Sequence, residues 1–302
     1  MYLCREFLFK MRLKVFLLLA ILLLPSVVPA QRKRAFMVGI SNYHTNGYKV
    51  WNNIHGAEDI VLLASELKKK GFSVQSLTNE QATYQGILGL LDDFVKKSKK
   101  GDIVYIHFSC HGQPVEDGLN EMPMDEKDGW DEAIVPIDAG KEYSENGYQG
   151  EKHLTDDELN GYVETLRKKI GAAGMLYVAI DACHAGTMYR KGIETIRGTN
   201  EGLSKSGKKY NPTKENARHY SIVKTPDMSP VLFIEACQSH ERNTEIRIEG
   251  KEYGALSYNI WQALKGIVSF DKNSKEEFKV GIEASIKVKG RWPRTQTLVM
   301  EE

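Results

Sequence analysis

Ile106-His107-Phe108-Ser109-Cys110-His111-Gly112 and Val178-Ala179-Ile180-Asp181-Ala182-Cys183-His184-Ala185-Gly186 are two hydrophobic runs, rich in β-branched residues, that each stop at small residues and one reactive side chain. Buried parallel strands read this way, and in an open α/β sheet their carboxyl ends deliver side chains to a shared edge. One strand would bring His111 to that edge and the other Cys183. A thiol and an imidazole so placed make a nucleophile and its general base.

Outward from these strings the pattern alternates. Arg34–Ile40 reads as a first strand. Ile60, Leu63, Ala64 and Leu67 recur at helical spacing between Ala57 and Lys70, before Gly71. Phe72–Leu77 is a second strand, Thr83 can cap a helix through Val95, and Ile103–Phe108 is the third strand. Thr155 with Glu158 forms a capping-box signature for a helix to about Lys169, and Met175–Ile180 is the next strand. Pro230–Ala236 (strand), Ala255–Lys265 and Lys275–Lys287 (helices) and an extended Thr297–Met300 complete the series. The fold class is therefore α/β, a mostly parallel sheet with helices on both faces. Between these elements, Gln113–Tyr148 reads mostly as surface loop around a short ribbon at 132–137. Tyr189–Met228 is basic, without period and poor in large apolar residues, and reads as an exposed linker that buries little.

Of the 302 residues, 41 are basic and 40 acidic, so no global field argues for a nucleic-acid partner. Lys10, Arg12 and Lys14 precede the apolar run Val15–Leu24, and Val28-Pro29-Ala30 precedes Gln31 as a signal peptidase would require. The expectation is a signal peptide over residues 1–30, export to the periplasm or exterior, and no membrane association after its removal. Pro25 and Pro29 interrupt the run before the roughly 20 apolar residues of a spanning helix accumulate. Cys110, Cys183 and Cys237 remain in the mature chain, an odd number that leaves at least one thiol unpaired.

Oxyanion stabilisation needs backbone N–H donors near the nucleophile. Those of Gly112 and Cys183 are the candidates. A zinc site on the Cys-His pairs is disfavoured, because adjacent ligands on an extended chain point to opposite faces and the sequence has no Cys-x-x-Cys.

His111-Gly112, Asp181-Ala182-Cys183-His184-Ala185-Gly186, Glu235-Ala236-Cys237-Gln238 and Tyr253-Gly254-Ala255-Leu256-Ser257, in that order, resemble the caspase-like cysteine peptidases, the bacterial metacaspase-type enzymes in particular. The resemblance runs from about Arg34 to the C-terminus. It implies a six-stranded caspase fold over residues 31–302, with a large-subunit-like part (31–189) carrying the dyad, a basic linker (190–228) and a small-subunit-like part (229–302). It also implies a Cys183/His111 dyad and an acidic pocket, formed by Asp59, Ser109 and Asp181, for an Arg or Lys before the scissile bond. Buried cationic heads need such carboxylates; taken singly, Asp59 reads equally as a solvated helix residue and Asp181 as a backbone cap.

The chemistry itself requires no cofactor. The resemblance implies a calcium site, of which Asp138, Asp156 and Asp157 match three positions while Arg190 stands at a fourth. Asp156 and Asp157 are equally explained as first-turn acids of their helix. Ala185 stands where the family usually has serine. The linker bases (Arg190, Lys191, Arg197, Lys205, Lys208, Lys209, Lys214, Arg218, Lys224) imply self-cleavage, and equally fit a solvated charge run. The partner expected is a peptide or protein substrate; oligomeric state is left open, with the monomer preferred. Two other readings stand beside this one: a catalytically silent caspase-like module that binds basic peptides, and a related dyad peptidase of other specificity.

Overall fold

In the computed structural model, residues 31–43, 51–119, 128–184, 195–211 and 222–302 are described. Residues 1–30, where a signal peptide is expected, and Ala185, Gly186, Arg190, Lys191, Lys214 and Arg218 lie outside them. Five strands pair in parallel: β1 (Lys33–Gly39), β2 (Phe72–Thr78), β3 (Ile103–Ser109), β7 (Met175–Asp181) and β8 (Val231–Glu235). The antiparallel β11 (Val299–Glu301) closes one edge, giving the order β11-β8-β7-β3-β1-β2.

Alternation along the strands splits the core into two layers. Phe36, Val38, Ile106 and Val178 join the layer covered by α2 (Tyr84–Lys97) and α3 (Asp156–Ile170). Ala35, Met37, Tyr105 and Tyr177 join the layer under α1 (Gly56–Lys69), α4 (Ala255–Gly266) and α5 (Lys275–Ile286). Each large apolar side chain fully buried in this way stabilises by about 1.5–3 kcal/mol. The expected helix starts are present: Thr83 Oγ1 accepts from the Gly86 N–H at 3.0 Å, and Thr155 Oγ1 from the Glu158 N–H at 3.3 Å. Among the described residues no helix is long and apolar enough to cross a membrane.

Two expectations need correction. The stretch from Gln113 opens not as loop but inside β4 (His111–Glu116), antiparallel to β5 (Trp130–Val135), which β6 (Leu154–Thr155) extends. Its polar Gln113 is fully buried because Nε2 donates to the carbonyls of Lys141 and Glu201, while Oε1 meets His153 Nε2. The basic linker, expected to bury little, carries fully buried Arg197, Thr199 and Leu203. Gly198 and Leu203 bridge to β4, with the Leu203 N–H donating to Pro114 O at 2.8 Å and the Glu116 N–H to Leu203 O at 2.9 Å. A small ribbon of β9 (Ile246–Ile248) and β10 (Lys251–Tyr253), not anticipated, turns through Glu249 and Gly250, both at positive φ.

Candidate active site

Parallel register sets Ser109 of β3 directly beside Asp181 of β7 at the carboxyl edge of the sheet. Asp59, in the first turn of α1, comes down on the same edge, and all three residues are fully buried. Ser109 Oγ donates to Asp59 Oδ2 at 2.8 Å, and the Gly254 N–H reaches both Asp59 oxygens at 3.1 Å. Asp181 accepts from Asn243 Nδ2 at 2.7 Å, from the Ser257 N–H at 2.8 Å and from Ser257 Oγ at 2.6 Å. Behind Ser257 a buried relay continues through His107 Nε2 at 2.9 Å to Tyr105 Oη, 2.8 Å from His107 Nδ1. Burial pushes His107 down to about 4, so the ring is neutral and fits the relay as donor at one nitrogen and acceptor at the other.

The pocket holds a guanidinium from the chain itself. Arg197, 0 % exposed, donates through Nη2 to Asp59 Oδ2 and Glu245 Oε1, each at 2.7 Å, and through Nη1 to Ser109 Oγ at 2.5 Å. Asp181 Oδ2 lies 3.9 Å from Nη1. Three carboxylates thus face one cation, and Asp59 and Asp181 respond in opposite directions. Burial, reinforced by the neighbouring Asp181 and Glu245, lifts Asp59 to about 7 although Arg197 pulls the other way. For Asp181 burial is outweighed by Arg197 and by the Asn243 and Ser257 hydrogen bonds, and its carboxyl stays below the usual range. The carboxylates likewise overcome the burial of Arg197 and hold it charged. Gly254 is needed here as glycine: a Cβ on it would sit 2.1 Å from Asp181 Oδ2 and 2.7 Å from Arg197 Nη1.

The backbone on either side of Arg197 is held as a peptide in a cleft would be. Its N–H donates to Asn243 O at 3.0 Å, and the Glu245 N–H donates to Thr195 O at 2.9 Å, an antiparallel pairing. Its carbonyl oxygen accepts from the Cys183 N–H at 3.0 Å and from the Gly112 N–H at 3.3 Å. These are the two donors expected from the sequence, and they converge on one carbonyl.

His111 is buried against Tyr43 and Trp51, whose ring centroids lie 4.8 and 5.0 Å away. Its Nε2 meets Asn52 O at 2.7 Å and so carries the proton, while Nδ1 has no hydrogen-bond partner. Burial pushes the imidazole down to about 4 despite the Asn52 carbonyl. Nδ1 therefore presents a lone pair at neutral pH, as a general base must. The Cys183 thiol donates to Glu241 O at 3.1 Å and also bonds the Cys237 thiol, whose own ionisation that contact and burial both oppose. Neither sulfur is in a disulfide.

The residues matched to calcium do not converge. Asp138 accepts from the Tyr84 N–H at 2.8 Å and pairs with Lys152 at 3.3 Å, and Asp156 accepts from the Glu132 N–H at 3.2 Å. Asp157 stands in the first turn of α3. Among the described residues, three metal-binding side chains come close together only at His55, Glu245 and Glu252, and that set touches the acidic pocket through Glu245. In this arrangement Asp138, Asp156 and Asp157 are engaged separately rather than gathered around one point.

Sequence reasoning missed Glu245, Asn243 and His107, and named Arg197 only as one base among nine. Glu245 and Asn243 sit in an irregular stretch after β8 with no periodic signal, and His107 reads as one more residue of a buried strand. The Gly254–Ser257 stretch was singled out, but not the role of either end in orienting the carboxylates.

A family model described as a caspase domain matches residues 32–281. Among curated proteins, the chain is 26% identical to metacaspase-3 of Arabidopsis thaliana over 254 residues, covering 81% of this chain and 62% of that protein. It is 30% identical to metacaspase-1B of Aspergillus fumigatus over 278 residues, covering 78% of this chain and 62% of the relative. The chain therefore spans less than two thirds of these relatives' length. In fold it is similar to protein GSU0716 of Geobacter sulfurreducens, known from its crystal structure, with a TM-score of 0.58, 20% identity and coverage of 89% and 92% of the two chains. The sheet order, the paired strand ends and the family match agree, and the chain belongs to the caspase-domain family of cysteine peptidases.

Proposed function

We propose that this protein is an exported cysteine endopeptidase that cuts peptide bonds after Arg or Lys and processes itself at Arg197–Gly198. One observation carries the reading: Arg197 sits in a pocket of three carboxylates while its own carbonyl oxygen accepts from the N–H groups of Cys183 and Gly112. A solvated charge run has no reason to bury its cation in this manner, since stripping a guanidinium of water is costly unless carboxylates replace that water. Basic residues ahead of an apolar run at the N-terminus support export to the periplasm or exterior.

The chemistry follows from the groups present. The Cys183 thiol leaves the Glu241 carbonyl and gives its proton to His111 Nδ1, and the thiolate attacks the Arg197 carbonyl carbon. The charge that develops on oxygen is met by the two N–H donors already in place, which act without reorganisation. As the intermediate collapses, the nitrogen of Gly198 leaves with the proton from His111. Water, deprotonated by the same imidazole, then hydrolyses the thioester and restores the thiol. Activity resting on His111 and Cys183 distinguishes this reading from a silent binding module.

The test uses internally quenched peptides carrying the sequence 195–203, with Arg, Lys or Asp at the position of Arg197, under reducing conditions. Wild type should turn over the Arg and Lys peptides, and Cys183→Ala neither. Intact-mass analysis of the stored wild type should show a fragment beginning at Gly198. Cleavage after Asp would overturn the pocket, and absence of any turnover would leave a binding module.

A further inference from the structure

Gly198, the residue after Arg197, is bridged on one side to Gly112 of β4 and on the other to Cys183. A Cβ on Gly198 would lie 1.8 Å from Cys183 O, 2.7 Å from Cys183 C and 3.1 Å from Gly112 O. Every one of these atoms is main chain, so no side-chain rotation relieves the clash. The wall cannot recede either. A Cβ on Gly112 would itself stand 2.6 Å from Cys183 O and 2.8 Å from His184 Nε2, so strand and loop are already in close contact there. Cys183 supplies both the nucleophile and an oxyanion donor, and Gly112 supplies the other donor at 3.3 Å. Drawing either backbone away to admit a side chain would pull those donors off the carbonyl they hold.

Resting on the activity proposed above, we infer that the subsite following the scissile bond admits only glycine, so that the substrates are extended segments containing Arg–Gly or Lys–Gly, and the second product begins with glycine. The acidic pocket selects the residue before the bond by charge. The backbone walls select the residue after it by the absence of a Cβ. Neither subsite depends on the other, because one is built from Asp59, Asp181 and Glu245 and the other from the main chain of Gly112 and Cys183. The sequence of this chain contains one Arg–Gly, at 197–198, among its linker bases.

The experiment compares three internally quenched peptides of the sequence 195–203: the native one, one with alanine at position 198, and one with alanine at position 199. The native and 199-substituted peptides should be cleaved alike, while the 198-substituted peptide loses about a hundredfold in kcat/KM, the scale of discrimination that one methyl group gives against an unyielding wall. Equal rates on all three would overturn the inference and leave the Arg/Lys reading intact. No cleavage of any would remove both. In the full chain Gly198→Ala should remain uncut by mass, whereas Thr199→Ala is processed like wild type; a processed Gly198→Ala chain would count against the inference in the same way.

Discussion

Asp59 and Arg197 meet at 2.7 Å with both side chains fully out of water, in a pocket where carboxylates outnumber cations. This excess makes the pocket's charge a function of pH. Asp59 is lifted by burial to about 7, whereas His111 is depressed to about 4. A carboxyl raised in this way takes up a proton as pH falls through about 7 and then no longer balances a cation. Arg197 itself pulls Asp59 down, so the carboxyl of a pocket without a cation titrates higher still; KM for Arg peptides should therefore rise as pH falls toward about 7 and level off below it, while the imidazole stays a competent base to about pH 4. An acid limb confined to kcat would assign it elsewhere.

Gly254 leaves open the volume that the guanidinium occupies. Gly254→Val should abolish cleavage after Arg, by about a hundredfold or more in kcat/KM, since the added atoms overlap both Asp181 and the substrate cation. Steady-state kinetics on Arg and Lys peptides, with circular dichroism to verify folding, checks this.

Ser257 touches no substrate; it orients Asp181 through its N–H and Oγ. Removing the hydroxyl leaves His107 without an acceptor and Asp181 with one donor fewer, a loss of about 1–3 kcal/mol. Ser257→Ala should therefore raise KM for Arg peptides about tenfold or more with kcat little changed, and Ser257→Thr should restore part of it. Equal losses in kcat would place Ser257 in the chemistry rather than behind it.

Leu203 measures how firmly the linker belongs to the fold. Fully buried in the layer that includes Val115, it should cost about 2–5 kcal/mol as Leu203→Ala, read from the denaturation midpoint of the Cys183→Ala background. An exposed linker would give a change within about 0.5 kcal/mol.

Asp138, Asp156 and Asp157 already serve a backbone N–H, an ammonium group or a helix start. Chelator is expected to leave turnover of the native-sequence peptide unchanged. A rate abolished by chelator and restored by calcium would show that these carboxylates regroup around the ion.

The alternation of strands and helices was sufficient to read the sheet, and the two strand strings to name the Gly112 and Cys183 N–H groups that meet on one carbonyl, because a strand end is a local pattern and parallel strands share one edge. Ser109 and Asp181 were named as pocket residues through the family resemblance, and the parallel register sets them side by side. Glu245 and Asn243 were not legible: they depend on how an aperiodic segment folds back over the strand ends, a tertiary matter that periodicity does not carry. Burial of Arg197 was hidden for a related reason, since composition scores a guanidinium as solvated until the carboxylates around it are known. The 249–250 turn was missed because Glu-Gly is a weaker hairpin signal than Asn-Gly.

The anchoring of Leu203 beside β4 separates covalent continuity from structural continuity. A nick after Arg197 would leave Gly198–Leu203 strung along β4, and β8 and β11 would still complete the sheet that β7 begins. The processed protein would be two polypeptides on a denaturing gel and a single particle in native solution. Maturation in that case consists of freeing one chain end from the cleft, with the rest of the architecture carried through unaltered.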